Sequence, residues 1–496
     1  SKESAFIMKK QTKLVAVLST AALLAIGASM TSFAATGWAE EDGTWVYYDR
    51  NGDKVTDKWA KSGNNWYYLD SNGEMAVDQL IEDGDNYYYV DVNGVMAANQ
   101  WVAIDNEDAG DDDEPEHYWY YFQANGKALK QGDSDTVSLK TVNGKKYAFD
   151  EYGAMVAEWS LDEDDEKKAS DTEAQEAAST ASTSEAWEGN GKYAKYTQAW
   201  KYYNSVEDGS RVSKGWFKVV PAEMLNKEKY DDDEESWYYA DGSGNLYAGE
   251  FKTIKGKKYA FRNDGRMLTG LKFIKEGDED FADVKADDDD SRPFDNEDDF
   301  FDNAIEFYEP NGYKCYYFGG GDDGAMRTNK TSVEIDGDSY NFYFEKSGGN
   351  KGAGVTGEKD DKYYQNGKLV RAGSDEKYQV VQHIDDVAND KVGYDKLDDA
   401  AEVVAALTAH ADYDVDTTVS QANLDALGVN KKLEDIQELA VFTRKADGKV
   451  GTKVADFFLV NTSGKVIDSK SKNKDGNDYN FVVAKGGSIL GYYVED

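Results

Sequence analysis

Between residues 38 and 101, aromatic and apolar side chains return on a lattice of seven. Trp38, Trp45 and Gly52 are followed by Trp59, Trp66 and Gly73, then by Leu80, Tyr87 and Gly94, and Trp101 opens a fourth round, so the repeat is 21 residues long. Seven-residue spacing also marks a coiled coil, but every third lattice position is a glycine preceded by asparagine, at Asn51-Gly52, Asn72-Gly73 and Asn93-Gly94. Asn-Gly supplies the positive φ angles of a tight hairpin turn. The runs before these turns alternate with period two. Trp66 and Tyr68 share one strand face and Tyr67 and Leu69 the other; Tyr87 and Tyr89 against Tyr88 and Val90, and Trp119 and Tyr121 against Tyr120 and Phe122, repeat the arrangement. A hairpin of this length cannot bury so much aromatic surface alone. The pattern therefore predicts an all-β fold, a β-hairpin solenoid in which one face stacks on neighbouring hairpins and the other stays open to a ligand.

The lattice predicts a first array over 35–159 and a second over 191–372, joined by an acidic, Ala/Ser/Thr-rich linker over 160–190. The acidic run Asp105 to Glu116 reads as an insertion at a loop tip of the first array, which stacking tolerates because loops lengthen at little cost. Residues 140–155 and 252–267 share the six-mer Gly-Lys-Lys-Tyr-Ala-Phe, which suggests an internal duplication. In the second array Trp200, Tyr202, Tyr203, Gly209 and Trp216 restore the lattice. Further acidic insertions fall at 230–235 and 278–302, and hairpins are expected at 340–344 and 363–364. The C-terminal region, 373–496, reads as degenerate hairpins with a small helical insert over 385–442. Leu397, Ala400, Val404, Leu407 and Ala411 recur at helical spacing, Leu433, Ile436, Leu439 and Ala440 do so again, and Ser420 is a candidate N-cap.

Residues 36–55 and 57–77, with Gly-Trp, Trp-Tyr-Tyr and Asn-Gly-x-Met elements in register, resemble the cell wall-binding repeat of Gram-positive surface proteins, which includes choline-binding and glucan-binding modules. The resemblance implies an aromatic cage for a quaternary ammonium group, built from tryptophans of one repeat and a tyrosine of the next. Carried over by motif, the ligand-binding candidates are Trp38, Trp45, Trp59, Trp66, Tyr68, Tyr87, Tyr89 and Trp101, with Met75 and Met96 as core or cage wall. The chain departs from the pattern where Leu80 and Leu271 replace the Gly-Trp tryptophan and Tyr87 replaces the first residue of Trp-Tyr-Tyr. The implied partner is choline on cell-wall teichoic acid, or a polysaccharide whose rings stack on the same aromatic faces.

Charge narrows the partners. A net charge of −41 repels nucleic acid and anionic headgroups and favours cations or a basic protein surface. Residues 1–34 read as a secretory signal: Lys9, Lys10 and Lys13 precede the apolar stretch from Leu14 to Met30, and Ser32-Phe33-Ala34 offers small residues for cleavage. No second segment of spanning length and no C-terminal sorting signal is visible, so non-covalent attachment at the cell wall is expected. Cys315 is the sole cysteine, which rules out an intramolecular disulfide. His117, His383 and His410 fall in no zinc, triad or phosphate-loop motif, and Asp287 to Asp290 offers oxygen ligands without the spacing of a calcium loop. The expectation is a secreted, non-catalytic binding protein without a cofactor. The other class to test is an adhesin in which the repeats are scaffold, while the acidic loops and the C-terminal region hold a basic host protein.

Overall fold

The computed structural model describes residues 36–109, 114–132, 139–161, 191–285, 297, 300–301, 311–335, 337–386, 391–450, 456–468 and 470–496. The leader expected over 1–34, most of the linker expected over 160–190, and the Asp287–Asp290 run lie outside these residues. The chain divides into two compact units. The first holds the described residues up to Leu161 together with Gln198–Phe217 and Tyr239–Leu246; the second holds 191–197, Lys218–Tyr238 and Tyr247–Asp496.

In the first unit the alternating runs form short antiparallel pairs: β1 (Gly37–Glu41) with β2 (Thr44–Tyr48), β3 (Lys58–Ser62) with β4 (Asn65–Leu69), β5 (Gln79–Asp83) with β6 (Asn86–Val90), and β7 (Gln100–Asp105) with β8 (His117–Phe122). The expected hairpin series is present, and β1, β3, β5 and β7 start 21 residues apart. Its faces follow the alternation, because Tyr67 and Leu69 are 6% and 0% exposed whereas Trp66 is 39% exposed. The acidic insertion falls at the tip between β7 and β8, whose register runs out to Asp105 opposite His117.

The Asn-Gly pairs do not sit at the hairpin tips. The first tip is Asp42-Gly43, with φ of 50° and 84°, which suits a two-residue turn whose twist matches the strands. Asn51-Gly52, Asn72-Gly73 and Asn93-Gly94 lie in the loops that follow β2, β4 and β6, and in each pair only the glycine has positive φ. What closes these loops is the aspartate ahead of them. Asp49 Oδ1 accepts from the Asn51 and Asp53 amides at 2.8 and 3.0 Å, and the Gly52 N–H donates to the Asp49 carbonyl at 3.1 Å. Asp70 and Asp91 make the same bonds in their loops, a side-chain mimic of a backbone turn.

From each such loop the chain returns to strap the preceding hairpin. The Met75 N–H donates to the Trp45 carbonyl at 2.7 Å, Met96 to Trp66 at 2.9 Å, Ala128 to Tyr87 at 2.8 Å and Met155 to Trp119 at 2.8 Å. The methionine then lies on the loop glycine of the next repeat. A Cβ added to Gly94 would meet Met75 Sδ at 2.9 Å, and one added to Gly126 would meet Met96 Sδ at 2.4 Å. Glycine is needed there for space as well as for its dihedral angle.

The first unit continues with β9 (Lys140–Val142) paired to β10 (Lys145–Tyr147) and β11 (Trp159–Leu161) paired to β12 (Trp200–Tyr202). Trp159 faces Tyr202 in that register, so the expected linker falls within the connection between two paired strands. In chain order α1 (Lys192–Ala199) precedes β12, and β13 (Gly215–Val219), α2 (Lys227–Asp231) and β14 (Ser236–Ala240) follow it.

In the second unit β15 (Glu250–Ile254) pairs with β16 (Lys257–Phe261). The Phe261–Met267 bridge beyond β16 matches Phe149–Met155 beyond β10, as the duplicated six-mer predicts. Next, β17 (Leu271–Glu276) lies between β18 (Phe281–Lys285) and β19 (Tyr313–Tyr317). The hairpins expected at 340–344 and 363–364 belong to a five-stranded sheet: β20 (Asn329–Ile335), β21 (Asp338–Phe344), β22 (Gly357–Lys359), β23 (Lys362–Gln365) and β24 (Lys368–Leu369), in the order β20-β21-β24-β23-β22.

The C-terminal region forms a three-stranded sheet of β25 (Tyr378–Asp386), β26 (Lys391–Leu397) and β29 (Phe457–Asn461), and a five-stranded sheet of β27 (Tyr413–Asp416), β28 (Ile436–Arg444), β30 (Lys470–Lys474), β31 (Asn480–Val483) and β32 (Ile489–Glu495). Its helices are α3 (Ala400–Ala409), capped by Asp399 accepting from the Glu402 amide at 2.8 Å, and α4 (Gln421–Leu427), a helix the spacing does not predict, which Ser420 caps in place of the one expected further on. Leu397 ends β26 and Ala411 lies past α3, whose buried stripe is Ala400, Val403 and Leu407. The second helical spacing is a correction: Leu433 starts a short 3-10 turn and Ile436 to Arg444 is β28. Its two faces enter two different clusters, Ala440 and Phe442 in one, Ile436, Leu439 and Val441 in the other. A strand buried on both faces reads as an unbroken apolar run, which a spacing of three and four mimics.

Candidate aromatic slots between hairpins

The repeat geometry builds the same slot several times. The Gly-Trp tryptophan of one hairpin stands edge-on to a tyrosine of the next: Trp38 to Tyr67 at 5.2 Å and 72°, Trp59 to Tyr88 at 5.0 Å and 59°, Trp101 to Tyr147 at 4.9 Å and 60° between ring centroids. These are favourable edge-to-face distances, so the walls hold each other without a ligand. In the first and last of these, Trp45 and Trp119 come from the same hairpin as the first wall and pack with it together with the strapping methionines Met75 and Met155. Packing places Trp38, Trp45, Tyr67 and Met75 in one cluster and Trp101, Trp119, Tyr147 and Met155 in another.

The slot at Trp101 and Trp119 is an open cleft of about 410 Å³, lined also by Lys145, Glu207 and Asp208. Trp119 Nε1 donates to Glu207 Oε2 at 3.1 Å, and His117 Nε2 lies 2.8 Å from Glu207 Oε1. Two carboxylates thus stand at the mouth of an aromatic box. Asp208 is 3.8 Å from Lys145 Nζ, and the Ser210 hydroxyl and amide hold its carboxyl below the usual carboxylate range despite partial burial. At the second slot Lys61 Nζ sits 5.6 Å from the Trp66 ring centroid, and Trp59 Nε1 donates to Asp83 Oδ2 at 3.1 Å.

The third position is filled. Leu80 and Tyr87 stand where the others have tryptophan, Ala128 replaces the strapping methionine, Tyr120 is 1% exposed, and all pack in one cluster. Lys130 Nζ lies 5.6 Å from the Tyr87 ring, a cation supplied by the chain itself.

Of the residues carried over by motif, Trp38, Trp45, Trp59 and Trp101 stand in these aromatic clusters, and Trp66 is exposed beside Lys61. Tyr68 pairs with Trp59 across the two strands of their own hairpin and stands edge-on to it at 5.1 Å. Tyr87 belongs to the filled position, and Tyr89 donates to Asp78 and lies against Phe122 at 6.1 Å. Sequence reasoning missed Tyr67, Tyr88, Tyr147, Met155, Glu207 and Asp208. The alternation marks Tyr67 and Tyr88 only as lying on the inward strand face, and the structure shows that inward here means toward the previous hairpin's tryptophan.

Residues 35–79 and 55–101 match the choline-binding repeat family. Through these repeats the chain belongs to that family. No curated protein matches it. Among solved structures it is similar to the modular autolysin LytC of Streptococcus pneumoniae in complex with a synthetic peptidoglycan ligand, at 18% identity over 71% of this chain and 56% of that one, with a TM-score of 0.33. It is also similar to the choline-binding domain of CbpL from the same organism, at 22% identity over 48% of this chain and 88% of that one, TM-score 0.27. A further S. pneumoniae choline-binding domain is 32% identical over 19% of this chain and 95% of that one, TM-score 0.15. The chain thus spans little more than half the length of the LytC structure. Among the described residues no helix is long and apolar enough to cross a membrane.

Proposed function

We propose that this is a secreted, non-catalytic protein that attaches to the cell wall by holding choline, borne on a wall polymer, in the aromatic slots between hairpins. The observation that carries the reading is the slot of Trp101, Trp119, Tyr147 and Met155 with Glu207 and Asp208 at its mouth. Each ring face contributes roughly 0.5–2 kcal/mol to a quaternary ammonium, and the carboxylates add long-range attraction that a neutral sugar does not feel. The same contrast favours choline over a glucan.

Calorimetric titration of the full chain with choline chloride, and with soluble glucans in parallel, tests this. Choline should bind, Trp119→Ala should remove part of the binding, and excess choline should release the protein from choline-bearing walls. Glucan binding without choline binding would sink the choline reading. Solubilisation of purified walls by the protein alone would overturn the non-catalytic part.

A further inference from the structure

One carboxylate at the mouth of the Trp101–Trp119 slot is held from two sides. Glu207 arrives on the loop between β12 and β13; Trp119 Nε1 donates to its Oε2 at 3.1 Å, and His117 Nε2 stands 2.8 Å from its Oε1. His117 and Trp119 are two residues apart on β8 and so share a strand face, with their rings edge-on at 5.7 Å and 83°. The tryptophan that walls the slot and the histidine beside it thus hold the same side chain. Glu207 is otherwise an exposed glutamate, 62% open to solvent at its side chain, and these two contacts are what fix its charge at the slot.

The histidine contact is one of charge. His117 Nε2 is shut off from solvent and makes no aligned hydrogen bond among the described residues. Its approach to a carboxylate oxygen is therefore favourable when the imidazole is protonated and gains little when it is neutral. Histidine is the side chain whose charge changes between roughly pH 5 and 8. The other charged groups on the elements packed here are Asp105, opposite His117 on β7, Glu116 just before it on β8, Asp208 beside Glu207, and Lys145 of β10, 3.8 Å from Asp208. The remaining histidines of the chain, His383 and His410, lie in the C-terminal region, so no other slot of the first unit has such a neighbour. An ammonium in the slot and a proton on His117 both draw on the Glu207 charge. With His117 neutral, the carboxylate is left to the bound cation; with His117 charged, it is neutralised and a second positive charge stands at the mouth. Linkage makes the effect reciprocal: acid weakens the cation's binding here, and the cation's binding expels the proton.

Resting on the choline reading of this slot, we propose that His117 is a positioning residue whose protonation sets how strongly Glu207 attracts a quaternary ammonium. This one slot then takes up choline with release of a proton to solvent and gives it up in acid. The test is calorimetric titration of the full chain with choline chloride at about pH 8 and about pH 5.5, repeated midway in two buffers of different ionisation enthalpy, which counts the protons released. The slot's affinity should fall by about fivefold at the lower pH, and the heat should depend on the buffer. His117→Gln, which cannot take up a proton, should flatten the profile and abolish the buffer dependence. Glu207→Gln should bind more weakly at the higher pH, and Trp119→Ala, which removes the slot wall, should lack the pH-dependent part. A profile that His117→Gln leaves unchanged, or equal heats in the two buffers, overturns the proposal while the choline reading stands; absence of choline binding at both pH values overturns the two together. Should His117→Gln fail to fold, NMR of the three histidine rings in the full chain decides the matter: one of them must titrate at lower pH when choline is present, and if none moves the proposal is overturned.

Discussion

Asp150 closes the loop after β10 at an energetic disadvantage that one substitution should remove. Its Oδ1 accepts from the Tyr152 and Ala154 amides at 2.9 and 2.8 Å, the same two bonds that Asp49, Asp70 and Asp91 make. Burial pushes its carboxyl from the ordinary 3.8 up to about 6, with those backbone donors and the Gly153 amide opposing the shift and Glu151 adding to it. A folded-state value above the unfolded one means that the folded chain binds the proton more tightly. The carboxyl's contribution is therefore most favourable below about pH 4 and is lost as pH rises through 6. The gap from 3.8 to about 6 corresponds to at most about 3 kcal/mol, and about half of that is realistic for a carboxylate that keeps some solvent. An asparagine side chain in this place would retain the acceptor without the charge, and Asn461 already does this work elsewhere, accepting from the Ser463 and Lys465 amides at 3.0 Å each. Asp150→Asn should thus stabilise the first unit by about 1–2 kcal/mol at pH 7, and the gain should vanish by pH 3.5. Urea unfolding followed by tryptophan fluorescence from pH 3.5 to 8, with hydrogen exchange at the Tyr152 and Ala154 amides as the local readout, measures it. A variant less stable than wild type at pH 7, or a difference that does not change with pH, would refute the reasoning.

Three further outcomes follow from the packing. Tyr67→Ala removes a slot wall that is also core and should cost about 3 kcal/mol while weakening choline binding, whereas Trp66→Ala should weaken binding with little change in melting temperature; melts that reverse this order would reverse the faces. Gly126→Ala places a Cβ 2.4 Å from Met96 Sδ at φ 82°, so it should destabilise the fold, and adding Met96→Ala should recover the steric part but not the left-handed strain, roughly 1 kcal/mol; a double-mutant cycle showing no coupling contradicts this. The Cys315 thiol, buried and pushed well up by that burial, should resist maleimide until the protein unfolds; labelling at the native-state rate of a surface thiol would place it elsewhere.

Hairpins, repeat length and strand faces were legible because alternation and spacing are properties of single strands. The turn assignment failed for a different reason. Asn-Gly is a strong local signal, but the loop is closed by Asp49 two residues earlier, through side-chain bonds that no propensity at Asn51 reveals. The slot tyrosines escape a sequence reading because an inward strand face signals core alone, whereas Tyr67 and Tyr147 are buried against the very tryptophans that make the site. Glu207 reaches Trp119 from 88 residues along the chain, a pairing that no repeat period encodes. The strand at Ile436 mimics a helix because a doubly buried strand carries no alternation to detect.

The methionine lying on the next repeat's glycine also says how such a chain can grow. Met75 meets Gly94, Met96 meets Gly126, Met155 meets Gly209, Met267 meets Gly324 and Met326 meets Gly352, so every contact is shared between two copies and completed by neither. A duplicated copy that carries both arrives with one half of each kind, a knob for its successor and a socket for its predecessor, and fits between two copies that carry the same pair without a compensating change. Exchange within a copy instead separates knob from socket, leaving a methionine facing a side chain or a glycine facing a void. Heredity can therefore lengthen or shorten such a run by whole copies far more readily than it can rewrite one.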